Sequence, residues 1–268
     1  MKFSMATVCL GGSLEERLSA ISAAGYHGVE IFEQDLSMHT GSTNELKTIA
    51  EDLGLEIMAF GPFRDFEGAP DGQRTELFHK ARQKFSQMNE LGVSRLLVCS
   101  NTSIDGSGDM SRIAGDLNEL GNLAQQFDIE IGYEALSWGR HIWDYRQAWE
   151  AVQLADHSSV GIVIDNWHIM ARELPLEEIQ EIPAEKIVFV QLADAPKMQL
   201  ELLEWSRHHR CFPGQGDWDM EQFYKILGKI KYDGWISHEI FNDKFRVANP
   251  KTIAMDGMRS LLPLSQNS

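Results

Sequence analysis

Short apolar runs alternate along the chain with amphipathic stretches of helical period. The runs read as strands at FSMATVCL (3–10), GVEIFE (28–33), LEIMAF (55–60) and VSRLLVCS (93–100). They continue at IEIGYEAL (129–136), VGIVID (160–165), IVFVQLAD (187–194) and WISHEIF (235–241). Most are rich in β-branched residues and apolar on both faces, as expected of parallel strands covered by helices. The intervening stretches predict helices over 13–25, 42–54, 71–91, 110–127 and 144–155. A short one follows Pro175, and two more cover 219–231 and 250–262. Ser13 with Glu16, and Ser42 with Glu45, have the spacing of capping boxes, and Gly25 and Gly54 read as stops.

Eight strand–helix units within 268 residues, with no Pro/Ser-rich linker and no low-complexity segment, predict an α/β fold. The expected architecture is a (β/α)8 TIM barrel, one domain over residues 1–268. Whether the chain is the N-terminal part of a longer one is left open. An open doubly wound sheet is the runner-up, but it usually has fewer strands. CLGGS, after the first run, also lacks the glycine spacing of a phosphate-binding turn.

Composition narrows the function. The formal charge is −16, from 24 Lys and Arg against 40 Asp and Glu. Such a field repels phosphate backbones and argues against a nucleic-acid partner. No apolar run reaches membrane-spanning length, and MKFSMATVCLGG lacks a signal-peptide pattern. The expectation is a cytoplasmic protein with no membrane partner; homo-oligomer formation is left open. Cys9, Cys99 and Cys211 are widely spaced and odd in number, which argues against disulfides and thiolate metal sites. Cys9 and Cys99 are expected as small buried hydrophobes.

Chemistry concentrates in the second half of the chain. In a barrel, active residues gather at the C-terminal ends of the strands. The fifth to eighth strands offer Glu134, Asp165, Gln191 and Glu239 near that end. A carboxylate in an apolar strand is costly unless it is paired or binds a cation. Three carboxylates and an amide form a hard oxygen site, suited to Mg²⁺ or Mn²⁺, with Co²⁺ as a further option. His168, three residues after Asp165 in what reads as a loop, is the candidate proton carrier. Asp194 is a second candidate, or a turn residue before Pro196.

One segment breaks the acidic character. WSRHHRCFPGQGDWD (205–219) gathers Arg207, His208, His209 and Arg210 after the seventh strand. A cationic loop at the barrel mouth suits capture of a small anionic substrate, because guanidinium groups grip carboxylate or phosphate bidentately. Arg64 and His141 are candidates for the opposite rim. Trp138, Trp143, Trp167 and Trp205 could wall off water.

The order Glu134, Asp165, Gln191, Glu239 resembles that of the xylose-isomerase-like TIM-barrel superfamily. Within it, YEALSWGRHIWDY, IDNWHIMAR, VQLADAP, WSRHHRCFPGQGD and EIFNDKFR resemble the bacterial 3-dehydroshikimate dehydratases. The resemblance runs through most of the chain and is strongest after residue 130. It implies a lyase that makes protocatechuate and water with a bound divalent cation, in quinate and shikimate catabolism. It implies Glu134, Asp165, Gln191 and Glu239 as metal ligands and His168 as the proton-handling residue, the first choice for the base that takes the ring proton, with Asp194 or a metal-bound water as the other choices. It also implies Ser206 and Arg210 as substrate-binding, to which the rim adds Arg64 and His208. Some dehydratases of other lineages use a lysine near the metal; here Lys197 lies only in the loop after the seventh strand. The alternative is a sugar or hydroxy-acid isomerase or epimerase on the same metal barrel. An endonuclease is disfavoured by the charge, and a non-catalytic binding protein by the four ligands.

Overall fold

Each apolar run contributes a strand, and the strands close on themselves. In the computed structural model, which describes residues 1–265, the strands are β1 Lys2–Ala6, β2 Gly28–Phe32, β3 Glu56–Phe63 and β4 Arg95–Cys99. They continue as β5 Glu130–Glu134, β6 Val160–Asp165, β7 Ile187–Leu192 and β8 Trp235–His238. All pair in parallel in chain order, and β8 returns to β1 from Lys2↔Trp235 to Met5↔His238, closing the barrel. The eight-strand parallel barrel expected from the alternation is therefore the fold. Among the described residues, no helix is long and apolar enough to cross a membrane.

The main core lies between strands and helices, where Leu18, Ile21, Leu46, Phe85, Leu117, Val152 and Phe223 are buried. Burying such a side chain contributes about 1.5–3 kcal/mol, so this shell carries most of the stabilisation. The helices start as read: Ser13 with Glu16 and Ser42 with Glu45 form capping boxes. Asp144 with Gln147 forms a third. A second, smaller apolar cluster includes Met58, Leu97, Val163, Phe189 and Trp235. It lies in the lumen, because Phe189 and Trp235 share strand faces with Gln191 and Ser237, which bond across the barrel to Glu30. Trp235 takes space beside β2: a Cβ on Gly28 would lie 2.9 Å from its ring.

Several elements differ from the sequence reading. β1 stops at Ala6 and a tight turn follows at Thr7–Cys9. β8 stops at His238, so Glu239 lies one residue beyond the strand. The apolar residues past these ends, such as Leu10 and Phe241, are buried in the mouth instead, so hydrophobicity outruns the strand. Four short helices were not legible in the pattern: Glu33–Met38, Asn166–Ala171, Leu202–His208 and Asp243–Val247. Five to seven residues hold too few turns to show a period. The second of these begins directly at Asp165, whose Oδ1 accepts from the Trp167 N–H at 2.8 Å.

Candidate active site

A polar layer crowns the luminal cluster. Glu30 on β2 and Gln191 on β7 are not on neighbouring strands, yet Gln191 Nε2 donates to Glu30 Oε1 at 2.7 Å across the lumen. Ser237 Oγ donates to the other Glu30 oxygen at 2.7 Å. Glu30 was missed by the sequence reading. The signal was present in GVEIF, a carboxylate inside an apolar strand, the same signal that singled out Glu134. Burial, and then the Glu239 charge, push the Glu30 carboxyl well above the usual carboxylate range.

Glu134, Asp165 and Glu239 stand nearby at the mouth, all buried. Glu134 Oε2 accepts from the Cys99 thiol at 3.0 Å, so Cys99 is a hydrogen-bond donor as well as a buried hydrophobe. Asp165 Oδ2 and Glu239 Oε2 converge on one nitrogen, Arg210 Nη1, at 2.8 and 2.7 Å. Burial, with Glu239 and Asp165 beside it, pushes Glu134 up to about 8. Burial pushes Glu239 up to about 7 even though Arg210 opposes the shift.

The cationic segment is not one solvated loop. Its first residues end the helix Leu202–His208, and its later ones are tied down by short antiparallel bridges. Cys211 pairs with Asp194 through both backbone bonds, and Arg210 N–H donates to Phe241 O at 3.2 Å. Asn242 Nδ2 returns a bond to Arg210 O at 2.8 Å. Arg207 and Arg210, three residues apart, turn inward, whereas His208 faces out and bonds Asp243 Oδ2 at 2.8 Å. The backbone of His209 pairs with Asn242.

Arg210 is 1% exposed. Its Nε and Nη2 both donate to Ser206 Oγ, at 3.2 and 2.8 Å. Its Nη1 serves the two carboxylates, and its Nη2 also lies 3.5 Å from His168 Nε2. The guanidinium plane stacks on Trp167 at 4.8 Å. Its donors are thus committed to protein partners. Arg210 and Ser206, both expected to bind substrate, here bond each other. The reason for the placement of Arg210 is local charge: a buried guanidinium settles where the carboxylates need a counter-ion.

His168 sits on the helix Asn166–Ala171, not in a loop, and so faces back over Asp165. Its Nε2 lies 3.4 Å from Asp165 Oδ2 and 3.8 Å from Glu134 Oε1. Nδ1 accepts from the Ser137 backbone N–H at 3.1 Å and also meets Ser137 Oγ at 3.0 Å. Burial, then Arg210, draws its pKa well below the ordinary value, so the ring is neutral. Trp138 and Trp167 box the ring edge-on, at 4.9 and 5.4 Å between centroids. Trp205 packs behind Trp167 at 5.5 Å. Trp143 lies elsewhere, under Arg172.

Other candidates resolve differently. Asp194 is a turn anchor: Oδ2 accepts from the Gly214 and Gly216 N–H groups at 3.0 Å, and Oδ1 from Ala195 and Trp218. It folds the Pro-Gly-Gln-Gly turn and is no longer a candidate base. His141 bonds Gly106 O at 2.9 Å and lines neither mouth cavity, which corrects its placement on the rim. His208 lines the outer vestibule only. Lys197 N–H donates to Asp217, on the exposed side of the loop. Arg64 does reach the site and lines both the inner cavity and the vestibule.

The donor set fits a divalent cation. Glu30, Glu134, Asp165 and Glu239 are all buried, and among them only Asp165 and Glu239 bond the one buried guanidinium, Arg210. Glu134 Oε1 and Gln191 Oε1 are buried acceptors with no hydrogen-bond partner. Such atoms are costly unless a cation or donor meets them. Ligand atoms of Glu134, Asp165 and His168 all lie within 4.8 Å of one another. His168 thereby stands beside the carboxylates that could hold an ion, while Glu239 connects to them through Arg210.

The family model described as xylose isomerase-like TIM barrel matches residues 18–264. A 3-dehydroshikimate dehydratase of Pseudomonas putida is 46% identical over all of this chain, which spans 42% of that relative's length. A solved structure described as a xylose isomerase-like TIM barrel/4-hydroxyphenylpyruvate dioxygenase fusion protein superposes with a TM-score of 0.97 at 47% identity. It covers 99% of this chain and 43% of the fusion. A crystal structure described as IOLI protein with a binding zinc atom shares the fold, with a TM-score of 0.90 at 18% identity over all of this chain and 99% of that one. Fold, strand order and whole-length match agree, and the chain belongs to the xylose isomerase-like TIM barrel family.

Proposed function

We propose that the chain is the catalytic barrel of a hydro-lyase that converts 3-dehydroshikimate to protocatechuate and water with a bound divalent cation. The observation that carries this reading is the 46% identity to a named 3-dehydroshikimate dehydratase over the whole chain. Residues 1–268 would be one barrel within a longer polypeptide, as in the relatives of which it spans less than half. Glu134, Asp165, Gln191 and Glu239 would hold the cation, with His168 beside them. Oxygen donors dominate, which favours Mg²⁺ or Mn²⁺ over softer metals. When bound, the ion supplies Lewis-acid polarisation of a ketone oxygen, which acidifies the neighbouring ring proton.

The chain's own groups divide the remaining work. Ser137 N–H is an obligate donor to His168 Nδ1, so the neutral ring carries its proton on Nε2. That atom faces Asp165 and Glu134 at the mouth. His168 is therefore set to relay a proton: the one it delivers to the departing hydroxyl is replaced by the one the substrate ring loses, so the hydroxyl leaves as water and the imidazole ends neutral. Trp138 and Trp167 exclude water around that transfer, and Arg210 holds Asp165 and Glu239 in register. A cation taking those carboxylates would compete with Arg210 for them.

The test is ultraviolet detection of protocatechuate from 3-dehydroshikimate, with protein stripped by chelator and then given Mg²⁺ or Mn²⁺. Product appearing only with metal supports the reading. No product with any divalent metal would remove it, and would favour an isomerase or epimerase acting on another hydroxy-ketone in the same barrel.

A further inference from the structure

The vestibule outside the site has a volume of about 1380 Å³ and is lined by several cations in a chain of net charge −16. Most have a carboxylate partner. Arg17 pairs with Asp35, Lys80 with Glu76, Lys84 with Glu33, and Arg246 with Asp243. His208 faces Asp243. Arg64 and Arg207 are different: neither has a carboxylate within 4 Å nor a side-chain hydrogen bond among the described residues. Both line the vestibule and also the small inner cavity beside Glu134, His168 and Glu239. Arg207 lies over Phe241 at 4.5 Å and reaches Trp138 at 5.9 Å, so aromatic contacts aim it while its N–H groups stay uncommitted.

We propose that Arg64 and Arg207, not Arg210, are the receptor for the substrate's carboxylate, with Arg210 behind them as a positioning residue. The inference rests on the dehydratase reading for the substrate's identity, but not for its charge. Two like-charged groups at one mouth, neither in an ion pair, keep their N–H groups open to an incoming anion, although the Glu239 charge acts on both. Burial, and then the Arg64 charge, draw the Arg207 guanidinium below its ordinary value. Arg210 stands deeper, with its donors on Ser206, Asp165 and Glu239 in this arrangement, whereas Arg64 and Arg207 are open. Both guanidiniums also act electrostatically on His168 and Glu239, so a carboxylate held by them would sit beside the reacting groups.

The test is calorimetric binding of 3,4-dihydroxybenzoate and of its neutral isostere 3,4-dihydroxybenzamide to the metal-loaded protein. The parent is expected to prefer the acid by about tenfold or more, the scale of a charged hydrogen bond. Arg64→Gln and Arg207→Gln should each weaken the acid about tenfold, leave the amide within about twofold, and together erase the preference. An acid preference that survives in the double variant overturns the proposal. So does an equal loss of acid and amide, which would mark a structural role. Turnover of 3-dehydroshikimate by the parent is read separately. Its absence alongside an intact acid preference would defeat the dehydratase reading and leave the receptor standing.

Discussion

Gln191 donates to Glu30 across the lumen at 2.7 Å, and that one bond fixes which end of the amide faces the site. With Nε2 engaged, Oε1 is left as a buried acceptor without a partner. Partners that orient a ligand typically carry ten- to hundredfold of metal affinity. Glu30→Gln is therefore expected to weaken Mn²⁺ binding by about 10–100-fold, read by calorimetry. An unchanged Kd would leave Glu30 with no part in orienting Gln191.

Glu134→Gln should separate metal binding from folding. It removes one of the crowded carboxyls whose burial disfavours ionisation. Chelated variant should melt no lower than chelated parent. Added Mn²⁺, which stabilises the parent by about 2.7 kcal/mol at a hundredfold excess over Kd, should no longer raise its Tm. A metal-dependent Tm in the variant would remove Glu134 from the ligand set.

Arg210→Met should act mainly on stability. Breaking a buried ion pair by removing one partner costs about 3–5 kcal/mol. Urea unfolding of chelated protein should show a loss of that order, partly recovered with Mn²⁺ as the cation takes over Asp165 and Glu239. A loss below about 1 kcal/mol would show that those carboxyls are neutral without metal and need no counter-ion.

His168→Ala should lower kcat by about 10²–10⁴-fold, the usual worth of a positioned proton carrier. Manganese binding should persist, because oxygen donors remain. A variant as fast as the parent would move proton delivery to another group.

Glu67 sets a pH dependence away from the metal site. Burial pushes its carboxyl up to about 8, against bonds from the Asn101 N–H and the Tyr133 hydroxyl. An acid with a raised folded pKa is more protonated folded than unfolded, so its contribution is full below the unfolded value near 4.5. It is lost as pH rises towards 8. Glu67→Gln mimics the protonated form, so the variant should gain on the parent by up to about 1.4 kcal/mol per pH unit across that window. Urea unfolding at pH 5 and pH 8 measures it; a constant difference would show that Glu67 does not titrate there.

Much of the molecule was legible before any coordinates. Period 2 and period 3.6 are local properties, so Ser13, Ser42 and the eight apolar runs announced strands and helices in order. A carboxylate in an apolar strand is equally a local anomaly, which is how Glu134 and Asp165 stood out. Glu239, one residue past β8, was found by the same anomaly although it lies outside the strand. Short helices escaped because a period needs several turns. Asp165 capping Asn166–Ala171 could not be seen, and with it went the reason why His168 faces back over the carboxylates.

Partnership was decided only by the tertiary structure. Arg207 and Arg210 are the same residue type three positions apart. One lies between Phe241 and Trp138 with its donors uncommitted; the other is locked among Asp165, Glu239 and Ser206. Asp194 could have been a base until Gly214 and Gly216 were seen to donate to it. The physical reason is distance along the chain. Arg210 meets Asp165 across 45 residues and Gln191 meets Glu30 across 161, and no local pattern encodes a bond that barrel closure creates.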